Sequence, residues 1–128
     1  MNQKTIQNEI MNYLKNEGFT PSIDDDGDIN FKKEGDLHYV IIDEKEENPF
    51  YLTISLTRRM EEGYDMEKAI SVAFDVEGYK GIKIKLYKTS IVAQAQMFFQ
   101  HPDHFKQVFY RTTQIMLWAM DEFCEKYF

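Results

Sequence analysis

The sequence predicts an α+β fold in which an antiparallel sheet of five to six strands packs against an N-terminal, a middle and a long C-terminal helix. Apolar residues alternate with polar ones through much of the middle of the chain, which is typical of strands with one buried face. Near both ends they recur instead at helical spacing. The strands are grouped between helices, as in antiparallel sheets. The predicted order is α-β-β-β-β-α-β-β-α in a single domain, residues 1–128.

The first helix is expected over about Gln3 to Glu17. Ile6, Ile10 and Leu14 lie on one side of that segment, and Gly18 is suited to end it because glycine readily adopts a left-handed conformation. Four strands and an acidic loop are then expected, divided by the turn sequences Asp26-Gly27 and Glu34-Gly35-Asp36. The strands are Phe19 to Asp24, Ile29 to Lys33, Leu37 to Asp43 and Phe50 to Thr57, and the loop is Glu44 to Asn48.

A second helix is expected to begin after Asp65, a residue type that often caps helices, and to end near Gly78. Its predicted buried side comprises Met66, Ala69, Ile70, Ala73 and Phe74. Two further strands follow, at Ile82 to Tyr87 and Ile91 to Phe98, and their alternating pattern predicts an antiparallel pair.

The last helix is expected over Pro102 to Phe128, and at about 1.5 Å per residue it is on the order of 37 Å long. Its main apolar stripe comprises Phe105, Val108, Phe109, Thr112, Met116, Ala119, Met120, Phe123 and Tyr127. A second apolar row beside the stripe comprises Tyr110, Leu117, Cys124 and Phe128. Trp118 falls near the polar side, where a tryptophan indicates either a contact with a partner or cover by another part of the chain.

Composition excludes several classes of function. The chain has 15 basic and 22 acidic residues and a net charge of −7, which opposes binding to nucleic acid and to anionic membrane surfaces. No segment is long and apolar enough to span a membrane. The only cysteine cannot form an internal disulfide, and Met1 to Lys4 lack the apolar core of a signal peptide, so a cytoplasmic location is expected.

No enzyme signature occurs, and neither a cofactor nor a metal is expected. In the acidic run Asp24 to Asp28, the spacing fails for a calcium loop because Lys33 takes the place of the final glutamate, so a solvated hairpin turn is expected. His101 and His104 supply only two potential metal ligands. Cys124 lies beside Glu122 and Glu125, which disfavour a thiolate.

Two basic segments could bind an anion or an acidic partner. Arg58-Arg59 ends a strand, but Glu61-Glu62 follow and are expected to neutralise it. Lys83, Lys85 and Lys88, with Tyr87, are expected to form a positive strand face, which either keeps an exposed strand soluble or receives an acidic peptide.

The sequence therefore favours a non-enzymatic protein-interaction module that binds a protein or peptide partner, with a homodimer as one possible form. The candidate partner-binding residues are Tyr110, Leu117, Trp118, Cys124 and Phe128 on the last helix, with Lys83 and Lys85 on the strand. The alternative is a small-ligand binding domain with a pocket between the last helix and the sheet, lined by Phe98, Met116 and Met120.

The whole pattern resembles the YbjN family and the wider type III secretion chaperone-like fold. The segments that carry this resemblance are the hairpin Asp26 to Phe31, the helix end Val76-Glu77-Gly78, the strand pair Gly81 to Leu86 and Ile91 to Phe98, and the helix Phe105 to Phe123. The resemblance implies an antiparallel sheet flanked by three helices, no catalytic residues, and a chaperone-like or regulatory role. Related folds include dimeric chaperones that hold extended protein segments.

Overall fold

A computed structural model describes residues 2–128 and confirms the predicted α+β class and element order. The helices are α1 (Gln3–Asn16), α2 (Met66–Asp75) and α3 (Pro102–Tyr127). The strands are β1 (Ser22–Ile23), β2 (Ile29–Lys33), β3 (Asp36–Glu47), β4 (Phe50–Arg59), β5 (Lys83–Leu86) and β6 (Ser90–Phe99). All six strands form one antiparallel sheet in the order β1-β2-β3-β4-β6-β5.

The three helices cover one face of this sheet. In β4, Phe50, Leu52, Ile54 and Leu56 are buried, and their partners in β6 continue the same apolar face. These residues form one core cluster with residues of α1, α2 and α3. The residues between them, odd-numbered from 51 to 59 in β4 and even-numbered from 90 to 98 in β6, point the other way. We call this second side of the sheet the open face. It includes the residues of neighbouring strands that are in register with these positions.

A side chain caps the N-terminus of each helix, and the sequence predicts this cap for α2. Asp65 accepts a hydrogen bond from the Lys68 N–H, which confirms it as the cap of α2. Asn2 caps α1 in the same way, and His101 Nδ1 accepts from the Asp103 N–H at the start of α3.

Two predicted boundaries in the first half of the sheet are wrong. The strand expected at Phe19 to Asp24 is only two residues long, because the Phe19 ring turns away to pack against Phe31 and Phe109 in the core. The acidic segment Glu44 to Asn48 is not a loop, since β3 continues to Glu47 and pairs there with Phe50 after a shift in register. Acidic side chains are tolerated at this exposed end of the strand.

The predicted buried side of α2 is confirmed only in part. Ala69 is buried and Ala73 packs against the core, as expected. Val72 also faces the core, whereas Met66, Ile70 and Phe74 point outward, with Phe74 86% exposed. The helix lies against α3 and β5 through small side chains, which allow close approach. We call Met66, Ile70 and Phe74 the outer row of α2.

The stripe predicted on α3 is largely confirmed, but it is rotated slightly. Phe105, Phe109, Met116, Ala119, Met120 and Phe123 are buried as expected. Val108 is exposed and Thr112 only half-buried, while Thr113 and Ile115 are buried instead. The helix accommodates Thr113 because its hydroxyl donates to the carbonyl oxygens of Phe109 and Tyr110 in the preceding turn.

Arg58 ties the end of the sheet to α3. Its Nε and Nη2 donate to the two carboxylate oxygens of Asp36, both at 2.9 Å, and Nη2 also donates to Asp121 Oδ1 at 3.0 Å. The Arg58 and Asp36 side chains are 27% and 15% exposed. The bond to Asp36, more than any other cause, raises the pKa of the Arg58 guanidinium. The expected neutralisation by Glu61 and Glu62 is wrong for this arginine.

Removal of the Arg58 side chain should therefore destabilise the fold. Arg58→Ala leaves a largely buried carboxylate without its partner, and we expect the free energy of unfolding to fall by about 2–3 kcal/mol. Asp121→Asn should cost less than about 1 kcal/mol because Asp121 is 56% exposed. Urea denaturation measures both values, and equal losses in the two variants would contradict the assigned role of Asp36.

His38 is a buried histidine satisfied by the protein itself. It is 2% exposed, stacks on Phe31 at 5.2 Å between ring centroids, and lies with Nδ1 3.0 Å from the Asp36 carbonyl oxygen. Burial lowers the pKa of His38 below its ordinary value because desolvation disfavours the charged ring.

The lowered pKa predicts that stability falls in mild acid. Below about pH 6.5 the unfolded chain takes up a proton at His38 that the native protein does not, so the free energy of unfolding decreases by up to about 1.4 kcal/mol per pH unit until the native histidine titrates. His38→Phe should flatten this part of the profile, and His104→Gln, a change at an exposed histidine, should not. Urea denaturation at pH 5 to 7 provides the measurement. A profile unchanged in His38→Phe would mean that His38 ionises equally in both states.

Candidate functional site

The open face is the largest surface of the sheet that no helix covers within residues 2–128. One row across five strands consists of Lys32, Leu37, Thr57, Val92 and Lys85, as the pairing register requires. The next row runs from Ser22 through Asn30, Tyr39, Ser55 and Gln94 to Lys83. Strands lie about 4.8 Å apart, so the first row is about 19 Å long.

The centre of this face is recessed. Ser55, Val92 and Gln94 are only 4%, 9% and 7% exposed, although Val92 lies outside the core cluster. A depression of about 400 Å³ lies above them, and a second of about 500 Å³ adjoins it through the shared residues Thr57 and Ser90. We call the two depressions together the groove. Its floor carries hydroxyl and amide groups, and Tyr39 and Tyr87 contribute to its walls.

One end of the groove is acidic. The turn between β1 and β2 brings Asp24, Asp26 and Asp28 to the edge of the first depression, with carboxylate oxygens within 4.8 Å of one another. Asp24 Oδ1 accepts from the backbone N–H groups of Asp26 and Asp28, which confirms the predicted hairpin turn. Burial, and then repulsion by Asp24, Asp26 and Glu44, raise the pKa of Asp28.

The other end is basic. Lys32, Arg58 and Arg59 line the second depression together with Thr89 and Ser90. Asp36 also lines it, but both of its carboxylate oxygens accept hydrogen bonds from Arg58. Arg58 is occupied by Asp36 and Asp121, whereas Arg59 points to the open face and forms no salt bridge within residues 2–128. Glu62, expected to neutralise the arginines, pairs with Lys88 instead at 2.9 Å.

Two of the predicted partner-binding residues belong to this face. Lys83 and Lys85 alternate with Ile84 and Leu86, which pack against the core, so the lysines lie on the open side of β5. The other five candidates lie on α3, across the sheet from the groove. The structure therefore does not bring the seven residues together.

The second apolar row of α3 is divided between the core and the surface. Leu117 and Cys124 pack against the core cluster. Tyr110 and Phe128 are 47% and 81% exposed. Desolvation and the neighbouring Glu17 raise the pKa of Tyr110 to about 12. Trp118 is 45% exposed, and the Arg111 guanidinium lies 5.6 Å from the centre of its ring.

The surroundings of Cys124 differ from those expected. Besides the neighbouring glutamates, the thiol has a cation beside it, because Arg58 Nη1 donates to Sγ at 3.5 Å. This contact helps to seat Arg58 against the helix, and it belongs to the network that joins β4 to α3.

Among the described residues, Asp24, Asp26 and Asp28 are the one group of side chains gathered closely enough to hold a metal ion. Carboxylate oxygens are ligands suited to Ca²⁺ or Mg²⁺. His101 and His104 lie 6.4 Å apart between ring centroids at the start of α3, with Asp103 beside His101, and are not part of such a group.

The pocket expected between α3 and the sheet is not formed by the residues proposed for it. Met116 and Met120 are fully buried in the core. Phe98 lies on the open face beside Tyr51, with 4.7 Å between the two ring centroids, so it is separated from both methionines by the sheet.

Comparison with models of known protein families, with curated proteins and with solved structures found no match. No helix within residues 2–128 combines the length and the hydropathy needed to cross a membrane. The open face must therefore be interpreted from its own geometry and chemistry.

Sequence reasoning missed the groove but identified part of its edge. The alternation in β4 assigns Tyr51, Thr53 and Ser55 to one side. Whether a helix covers this side depends on where all three helices pack, which the alternation does not show. The polar residues at alternate positions of β4 and β6 were the available signal, since a second buried face would have been apolar.

The opposite orientations of neighbouring β5 residues can be tested by stability. Lys83→Gln and Lys85→Gln should change the free energy of unfolding by less than about 0.5 kcal/mol, because both side chains lie on the open face. Ile84→Ala, between them, should cost about 1–2 kcal/mol by removing contacts with the core. Chemical denaturation of the three variants gives the comparison, and a larger loss in the lysine variants would reverse the assigned orientation.

Proposed function

We propose that the protein is a non-enzymatic interaction module, chaperone-like or regulatory, that holds an extended segment of a partner protein in the groove on its open face. The observation that carries this proposal is the recessed, uncovered centre of the sheet, in which Ser55 and Gln94 form a polar floor. An antiparallel sheet commonly exposes one face to water, and on this face two adjoining shallow depressions lie beside residues that are almost buried.

The exposed apolar side chains of this face support a protein partner. Ile41, Tyr87 and Phe98 are 39%, 48% and 57% exposed. Aromatic residues at protein surfaces often provide contact area for partners, since they combine an apolar body with little loss of side-chain freedom. Their separation by hydroxyl-bearing residues favours a segment with alternating side chains over a uniformly apolar one.

The dimensions of the open face favour an extended segment. The row of paired residues from Lys32 to Lys85 crosses five strands and extends about 19 Å, the length of about six residues of extended chain. Such a segment places successive side chains alternately toward and away from the floor. Its backbone N–H and C=O groups can pair with the floor hydroxyls.

The lining of the groove favours binding over catalysis. Within residues 2–128 its serine and threonine hydroxyls have no histidine beside them, because His38 faces the opposite side of the sheet and His101 and His104 lie at the start of α3. The residues described at the floor offer hydrogen bonds and contact area.

Selection from a random peptide library displayed on phage tests the proposal with the purified protein. We expect enriched peptides to bind the unmodified chain and to lose at least tenfold in affinity for Thr57→Trp, which places an indole where the two depressions meet. Gln107→Trp adds the same ring to an exposed position on α3 and should leave binding unchanged.

Tyr39→Ala provides a second variant that removes a wall of the groove without filling it, and circular dichroism checks the fold of all three proteins. Either the absence of enrichment or enriched peptides that bind Thr57→Trp and Tyr39→Ala normally would contradict the proposed site.

A further inference from the structure

The cations of the open face are not neutralised by the protein. No salt bridge within residues 2–128 involves Lys32, Arg59, Lys83 or Lys85. These four positive charges lie on one face of a chain whose net charge is −7, so they are available to an anionic partner.

Arg58 and Arg59 are adjacent in the chain, but only Arg58 is paired with carboxylates. The side chain of Arg58, on the helix face, contacts two carboxylates, whereas that of Arg59 lies on the open face and lines the basic depression with Lys32. Hydroxyl groups of Thr89 and Ser90 line the same depression. A guanidinium, an ammonium group and hydroxyl donors are the groups that bind a carboxylate or another oxyanion.

The charges of the groove are also separated in space. The basic depression lies at one end, Lys83 and Lys85 lie along the β5 edge, and the turn from Asp24 to Asp28 lies at the other end. An anionic segment is attracted to the first two and repelled by the third. Its acidic side chains therefore belong at the end formed by Lys32 and Arg59.

We propose that the end of the groove formed by Lys32 and Arg59 is a subsite for carboxylate side chains, and that the bound segment is an acidic peptide. This inference rests on the proposed function and specifies the partner. The charge complementarity favours an acidic protein segment over a nucleic acid, because the phosphates of a strand that continued along the groove would meet the aspartates of the turn.

The experiment uses a fluorescein-labelled peptide of about six residues with glutamates in one half and leucine and serine in the other, and a matched peptide with glutamine in place of glutamate. Fluorescence anisotropy of the intact protein at low ionic strength should give an affinity at least tenfold higher for the glutamate peptide. The preference should decline as salt is added, since exposed charges are screened.

Lys32→Gln/Arg59→Gln should reduce the glutamate preference at least fivefold. Lys15→Gln/Arg111→Gln removes the same two residue types from helices on the other side of the sheet and should retain it. These positions are exposed, so the unmodified protein and the two double variants should have the same thermal midpoint within about two degrees.

The two proposals can fail separately. Equal affinity for the two peptides, or an equal effect of both double variants, would overturn the carboxylate subsite. Peptides selected from the library would still test the groove itself. A labelled single-stranded oligonucleotide serves as the third probe, and tighter binding of it than of the glutamate peptide would overturn the assignment to an acidic peptide.

Discussion

The packing of α3 against the apolar face of β4 and β6 is the constraint on which the rest of the structure depends. These two strands pair over ten residues at the middle of the sheet, and the helix supplies most of the large side chains that fill the space above them. Because α1 and α2 also contact α3, all three helices are held on the same side. The other side of the strands is left to water or to a partner.

The period of two in a strand has an electrostatic consequence at the end of β4. Successive side chains point to opposite sides, so Arg58 enters a partly desolvated site between the sheet and α3, where carboxylates must balance its charge. Arg59 remains outside and forms no salt bridge within residues 2–128. One arginine is structural and the next is unpaired, although the two are identical in type and adjacent in the chain.

The elements with a strict local period were the predictable part of the fold. Turn residues and alternation located β2, β4 and β6 closely, and Asp65 was identified as a cap because that bond is local. The orientation of α2 was not predictable in this way. Both its outer row and its small residues, Ala69 and Val72, are apolar, and only the approach of α3 and β5 decides which side is buried.

Lys83 and Lys85 were identified as candidates from their alternation with apolar residues. The lack of a salt bridge at Arg59 and the depression above Ser55 both depend on residues distant in sequence, so neither was predictable from a local pattern. The resemblance to the YbjN family stays a prediction.

The polar floor of the groove limits what can occupy it. Polar groups such as the Ser55 hydroxyl and the Gln94 amide require hydrogen-bond partners, and an occupant that covers them must supply those partners. An apolar helix or an acyl chain offers no such groups and would leave the polar atoms of the floor without hydrogen-bond partners. The polar floor therefore disfavours non-specific binding of apolar molecules, to which a surface with exposed tyrosine and phenylalanine is otherwise prone.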